Sequence, residues 1–444
     1  MCPRKAAKSG DAYAARRRRR FTGGWLLLWT AAVMIGPGAG AVQGELPCDD
    51  DEGVIKAARA ARFVLLGEAT HGTSEFYSER ATVTMRLLED SRASAVVIEA
   101  DGTEVERVNL YVRGLGPDRS AAEALSSVRR FPRWMWRNAE FAEFVEALRT
   151  ANLRRPEAAR VGLYGMDVYD LFGALDRVRA YVRHRPTGAA AAANAAARCF
   201  APYHRSTEAY GIASRKVARS CTAPAQALLH AVRHAPAVKG VPAEEERFAA
   251  LQAAATIVDA EGYFHAAFAG AYSWNVRERS MAASIKRVAA HAAGQGDTAR
   301  VIVWTHNSHV ARTASTTMAD RGETSIADLL REDGAGQVFA MGLLTHSGTF
   351  MAAPAWDRPG QVYRLNPAAR NSVEGLLRRS GEARAVLMLR GAAPGAHSEW
   401  RPQRGVGAVY DPRLPEAVYS RVQLATEFDA VTFLERTKAV TPLA

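Results

Sequence analysis

Glu68 and His71 sit three apart in Gly67-Glu68-Ala69-Thr70-His71-Gly72, where the flanking glycines let the backbone turn sharply and approach a ligand. His306 and His309 share Thr305-His306-Asn307-Ser308-His309, a spacing at which two imidazoles can serve one metal ion or one substrate. Acids stand in comparable settings at Glu99-Ala100-Asp101 and at Gly165-Met166-Asp167. An imidazole titrates near neutral pH, so His71 is suited to take a proton from water, with Glu68 orienting it and stabilising its imidazolium. His306 or His309 would then donate to an oxyanion or a leaving alkoxide. Arg80 shares an apolar helix face with Phe76, Val83 and Leu87. It either snorkels or answers buried carboxylates such as Glu68 and Glu99, holding one in place or binding a substrate oxygen. The chain has no G-x-S-x-G elbow. Its nearest approach, Gly72-Thr73-Ser74-Glu75-Phe76, ends in phenylalanine, which disfavours a serine triad. A metal-assisted hydrolase with His71, Glu68, Glu99 and His309 as ligands is the alternative chemistry.

Short apolar runs precede these residues. They are Phe63–Leu66, Ala95–Ile98, Val161–Tyr164 and Val301–Trp304, with later candidates at Val338–Met341, Ala385–Met388 and Ala430–Phe433. Continuous apolar strands of this kind belong to a sheet buried on both faces, so the expected fold is α/β, a central mostly parallel sheet wrapped by helices. In such sheets ligands bind beyond the carboxyl ends of the strands. The first four runs each end in titratable groups, which points to one shared site.

Between the third and fourth runs, from about 171 to 293, strand character is lacking and helical patterns such as Leu171, Leu175, Val178 and Val182 recur. This stretch reads as a helical insertion or cap. Within 107–148, Trp134 and Trp136 cannot share one helix side; one faces a surface or cleft, or both serve ordinary packing. Trp136, Asn138 and Asp167 are the substrate-binding candidates.

The chain is 444 residues long, 48% apolar and 23% charged, which excludes fibrous and disordered classes. Its first 41 residues have the build of an export signal: the basic run Arg16–Arg20, the apolar Trp25–Ile35, then Ala39-Gly40-Ala41. Cleavage is expected after Ala41, leaving 42–444 as the hydrolase domain; an uncleaved anchor is the other option. The leader carries eight Lys or Arg and one Asp, a net +7, so +5 of the total +12 remains for the rest. With no basic-aromatic patch, nucleic acid is not an expected partner. Cys199 and Cys221 could staple their loop by a disulfide in an oxidising compartment, which would leave Cys48 single.

The blocks Gly67–Phe76, Ala95–Asp101 and Trp304–His309 resemble the signature segments of the erythromycin esterases, with further similarity at Gly165–Asp167, Asn275–Met281 and Phe428 to Leu443. The resemblance implies a helix-wrapped sheet with a helical insertion and water-dependent opening of a lactone ester without an acyl-enzyme. By the same resemblance His71 is the general base, and Glu68, Arg80, Glu99, His306 and His309 complete the site. No cofactor is implied, and the expected partner is a small ester or macrolactone. A non-enzymatic exported binding protein is the third expectation.

Overall fold

The computed structural model describes residues 51–443, apart from 90–92, 184–187, 217–219, 237–239, 271–272, 294–298 and 394. The leader 1–41, with Cys2, and also Cys48 lie outside the described residues.

All seven apolar runs read from the sequence lie in one mixed sheet. Its strands are β1 (Phe63–Leu66), β2 (Ala93–Asp101), β3 (Gly162–Asp167), β4 (Arg300–Trp304), β5 (Val338–Ala352), β6 (Gln361–Leu365), β7 (Arg384–Met388) and, last in the chain, Ala430–Thr437. A separate hairpin pairs β8 (Trp400–Arg404) with β9 (Tyr419–Gln423), so the last sheet strand is β10. The spatial order is β3-β2-β4-β1-β5-β10-β7, with β6 on the far half of β5. The strands from β3 to β10 pair in parallel, while β7 and β6 run antiparallel to their neighbours. The fold is α/β.

Because β1 is flanked by β4 and β5 and covered by helices, its four residues are all buried and apolar. The register then determines where the chain exits the core. Leu66 and Ile98 both pair with Trp304, and Ile98 also pairs with Gly165. Glu68, Glu99, Asp167 and His306 therefore emerge one or two residues beyond the same level of the sheet.

The region between β3 and β4 is built from helices, among them Leu171–Val182, Gly188–Phe200, Thr222–Arg233, Val241–Ala269 and Ser273–Ala293. It has its own core, in which Leu171, Leu175, Val178, Phe200, Tyr210 and Ile257 pack together. A disulfide joins Cys199 to Cys221 across this core, their Cα atoms 5.9 Å apart. Among the described residues no helix is long and apolar enough to cross a membrane.

After β8 the chain crosses the β1 loop. Val406 bridges to Thr70, its N–H donates to the Ala69 carbonyl at 2.7 Å, and its own carbonyl accepts from His71 N–H at 3.3 Å. The C-terminal third thus forms one wall above the strand ends.

Candidate active site

The loop after β1 turns into the helix Ser74–Leu88, whose apolar face carries Phe76, Tyr77, Val83 and Leu87 into the core. Arg80 lies on this same buried face, only 1% exposed, and answers a carboxylate instead of reaching for solvent. Its Nη2 is 2.7 Å from Glu68 Oε2, and its guanidinium is packed against the rings of Tyr77 (4.7 Å), Trp304 (4.8 Å) and Trp136 (5.9 Å). Of the two roles read from the sequence, the ion pair places Arg80 in the one that holds a carboxylate. The other carboxylate oxygen, Glu68 Oε1, accepts from His71 Nδ1 at 2.9 Å. With Nδ1 tied to Glu68, the free base position is Nε2. An ideal Cβ built on Gly407 would be 4.0 Å from Nε2, so the strand crossing overhead leaves open space beside that nitrogen.

The ring of His306 lies 5.1 Å from that of His71. Its Nδ1 accepts from Ser308 N–H at 3.2 Å, so Nε2 carries the hydrogen and donates to the Ala69 carbonyl at 3.2 Å. Burial, and then the neighbouring His71, push its pKa down to about 3. His306 is therefore a neutral imidazole at any pH near 7.

His309 is different. Its Nδ1 meets Glu278 Oε1 at 2.6 Å and its Nε2 meets Glu99 Oε1 at 3.1 Å, while Trp274 stacks on the ring 4.8 Å away. Burial alone would lower its pKa, but Glu278 and Glu99 overcome that and raise it to about 9. With both nitrogens occupied, His309 is a buried cation and not a donor to substrate. This corrects one of the two roles the sequence left open.

Glu99 gathers the site. Its Oε1 accepts from Arg277 Nη2 at 2.8 Å as well as from His309, and its Oε2 accepts from Thr305 Oγ1 at 2.6 Å and His306 N–H at 2.9 Å. Burial would raise this carboxyl, but the His309 and Arg277 cations outweigh it and hold it well below the usual carboxylate range. Asp167 completes the group: Arg277 grips it with Nε at 2.9 Å and Nη2 at 2.7 Å. Nearby, Asp101 binds Arg130 Nε at 2.8 Å, and burial drives its pKa up to about 7 against the pull of that guanidinium.

Two candidates prove to be supports. Trp136 is buried, donates its indole N–H to the Glu99 carbonyl at 2.8 Å and stacks edge-on with Phe141. Asn138 is fully buried and caps the helix Ala139–Leu153, accepting from Phe141 N–H at 2.7 Å and donating to the Trp134 and Met135 carbonyls. Neither has a polar group left for substrate. Arg277 and Glu278, both on the helix Ser273–Ala293, were not among the sequence candidates, though the Asn275–Met281 block contains them. Glu278 also accepts from Ile326 N–H at 2.9 Å, which fixes the carboxylate that holds His309.

A family model described as erythromycin esterase matches residues 89–437. That span begins downstream of the Glu68–His71 loop, which joins the site through the fold. Three solved structures share the architecture. One is titled a succinoglycan biosynthesis protein (TM-score 0.69, 17% identity, covering 90% of this chain and 95% of that one). A protein from Bacillus cereus gives a TM-score of 0.70 at 16% identity, covering 88% and 92%. A histidine-to-asparagine mutant of the erythromycin esterase EreC, in an open conformation, gives 0.57 at 16%, covering 87% and 93%. On the strength of a family match that runs from the end of the first helix of the site to the last strand of the sheet, this chain belongs to the erythromycin esterase family.

Proposed function

We propose that the chain hydrolyses a carboxylic ester or macrolactone with water activated by His71. The observation that carries this reading is the relay Arg80–Glu68–His71, which leaves Nε2 beside the open space under Gly407 and across from His306. Glu68 keeps the proton on Nδ1, so Nε2 can take one proton from water as the new C–O bond forms. To serve the developing oxyanion the neutral His306 exchanges its Nε2–H bond to the Ala69 carbonyl for one to that oxygen, and the imidazolium of His71 returns its proton to the alkoxide as the ester C–O bond breaks. Glu99 and Arg277 touch no reacting atom in this scheme. They position His306 through its backbone N–H and balance the buried charges.

The metal-assisted alternative takes His71, Glu68, Glu99 and His309 as ligands. Glu68, Glu99 and His309 already have protein partners on the atoms a cation would need, and among the described residues no three His, Cys, Asp or Glu side chains form a ligand group. The test is an ester and lactone screen of the purified chain with and without chelator. His71→Ala should abolish turnover and chelation should leave it intact; activity lost to chelator and restored by Zn²⁺ overturns the water-only mechanism, and tight ligand binding without turnover favours a binding protein.

Export belongs to the same proposal. Residues 1–41 have a signal's composition, and the Cys199–Cys221 disulfide suits an oxidising compartment. Mass spectrometry of the secreted protein should find Val42 at its N-terminus.

A further inference from the structure

Beyond His306 a groove runs between Trp274, the turn at Thr316–Met318 and the β8–β9 hairpin. We propose that this groove is the alcohol-side subsite and that it takes a leaving group bearing free hydroxyls, an assignment that rests on the ester-hydrolysis reading.

Position gives the first support. His306 and Ser308 line the groove together with Gln403, Arg404 and Gly405. The same strand continues as Val406 and Gly407 over His71. A group seated here therefore extends from the bond that His71 and His306 flank.

The chemistry of the walls selects the occupant. Glu323 lines the groove with its side chain 2% exposed; Oε2 takes Arg321 Nη2 at 2.6 Å, whereas Oε1 is buried with no hydrogen-bond partner among the described residues. A buried carboxylate oxygen left unmet is costly, and an O–H from a ligand would satisfy it. Glu427, on the same groove, accepts from Gln403 Nε2 at 2.9 Å. Burial pushes its carboxyl well above the usual range, which favours the neutral acid, able both to donate and to accept. Trp274 supplies a flat apolar platform.

Charge argues against an ionic occupant. Arg321 pairs with Glu323, and Arg404 gives Nη1 and Nη2 to the carbonyls of Asn366, Thr345 and His346. An ammonium would meet the Arg321 and Arg404 cations, and an anion would meet the bare Glu323 oxygen. A neutral polyol fits.

The experiment compares n-butyl butyrate with 6-O-butyryl-glucose, which share an acyl group. The wild type should show a higher kcat/KM for the glucose ester. Glu323→Leu should lower the glucose-to-butyl ratio of kcat/KM at least tenfold, and Glu323→Gln, which keeps an acceptor, should lower it less. An unchanged ratio in Glu323→Leu overturns the subsite. Butyl ester hydrolysis that disappears in His71→Ala reports separately on the esterase reading. Sorbitol binding, followed by saturation-transfer NMR, tests the groove without turnover: binding by wild type and not by Glu323→Leu supports it, and equal or absent binding overturns it.

Discussion

Consider Glu68→Gln, which removes one charge and almost no volume. Glu68 is fully buried and Arg80 is 1% exposed, with 2.7 Å between Oε2 and Nη2. The surrounding rings of Tyr77, Trp136 and Trp304 offer the guanidinium their faces but no counter-charge. Breaking a buried pair from one side strands the other ion, at a cost of about 3–5 kcal/mol. Urea unfolding should show that loss. Turnover should fall by about 10²–10⁴-fold, since the Nδ1 proton of His71 loses its carboxylate. Adding Arg80→Met separates the two effects. The double variant no longer contains a stranded cation, so stability should recover most of the way while turnover stays low. If Glu68→Gln unfolds within about 1 kcal/mol of the wild type, or if the double variant regains activity, the relay described above is wrong.

Stability should vary with pH through two histidines of opposite sign. His309, raised to about 9, stabilises fully below the unfolded value of about 6.5 and loses that contribution as pH climbs through 9; Glu278→Gln should flatten this alkaline limb of the urea midpoint. His306, depressed to about 3, contributes nothing adverse above about 6.5 and destabilises progressively as pH falls from there, giving an acid limb that His306→Gln removes. Gly407→Val places methyl groups in the space beside His71 Nε2 and should cut turnover by about 10²-fold with an unchanged melting temperature; wild-type rates would remove the proposed water position. Cys199→Ser opens a loop of sequence separation 22 and should cost about 3 kcal/mol, read as faster limited proteolysis of the helical insertion.

The sequence displayed the sheet because each buried strand is a continuous apolar run. β6, β8 and β9 escaped that test for a physical reason. Gln361–Leu365 is an edge strand with mostly exposed side chains, and Trp400–Arg404 contains Pro402 and two arginines and pairs only with β9. The strand-end rule located Glu68, Glu99, Asp167 and His306, since strand register alone determines where those residues emerge. Helix-borne partners have no comparable rule. Arg277 lies 178 residues from Glu99 in sequence, and nothing in a single chain distinguishes a charge that turns inward from one that is solvated. The same limit explains Trp136 and Asn138. Their types suit ligand contact, and only the folded chain reveals that a carbonyl and a helix end have already claimed their polar atoms.

Glu99 is bound at once by the sheet, through Thr305 and His306, and by the cap helix, through Arg277. Cap and sheet consequently share a keystone. A chimaera that exchanges the cap for that of a distant relative can discard nearly all of its alanine-rich surface, but Arg277 and Glu278 must travel with it. Otherwise His309 and Glu99 inherit a vacancy, and a graft sound in outline yields a correctly shaped protein with a collapsed centre.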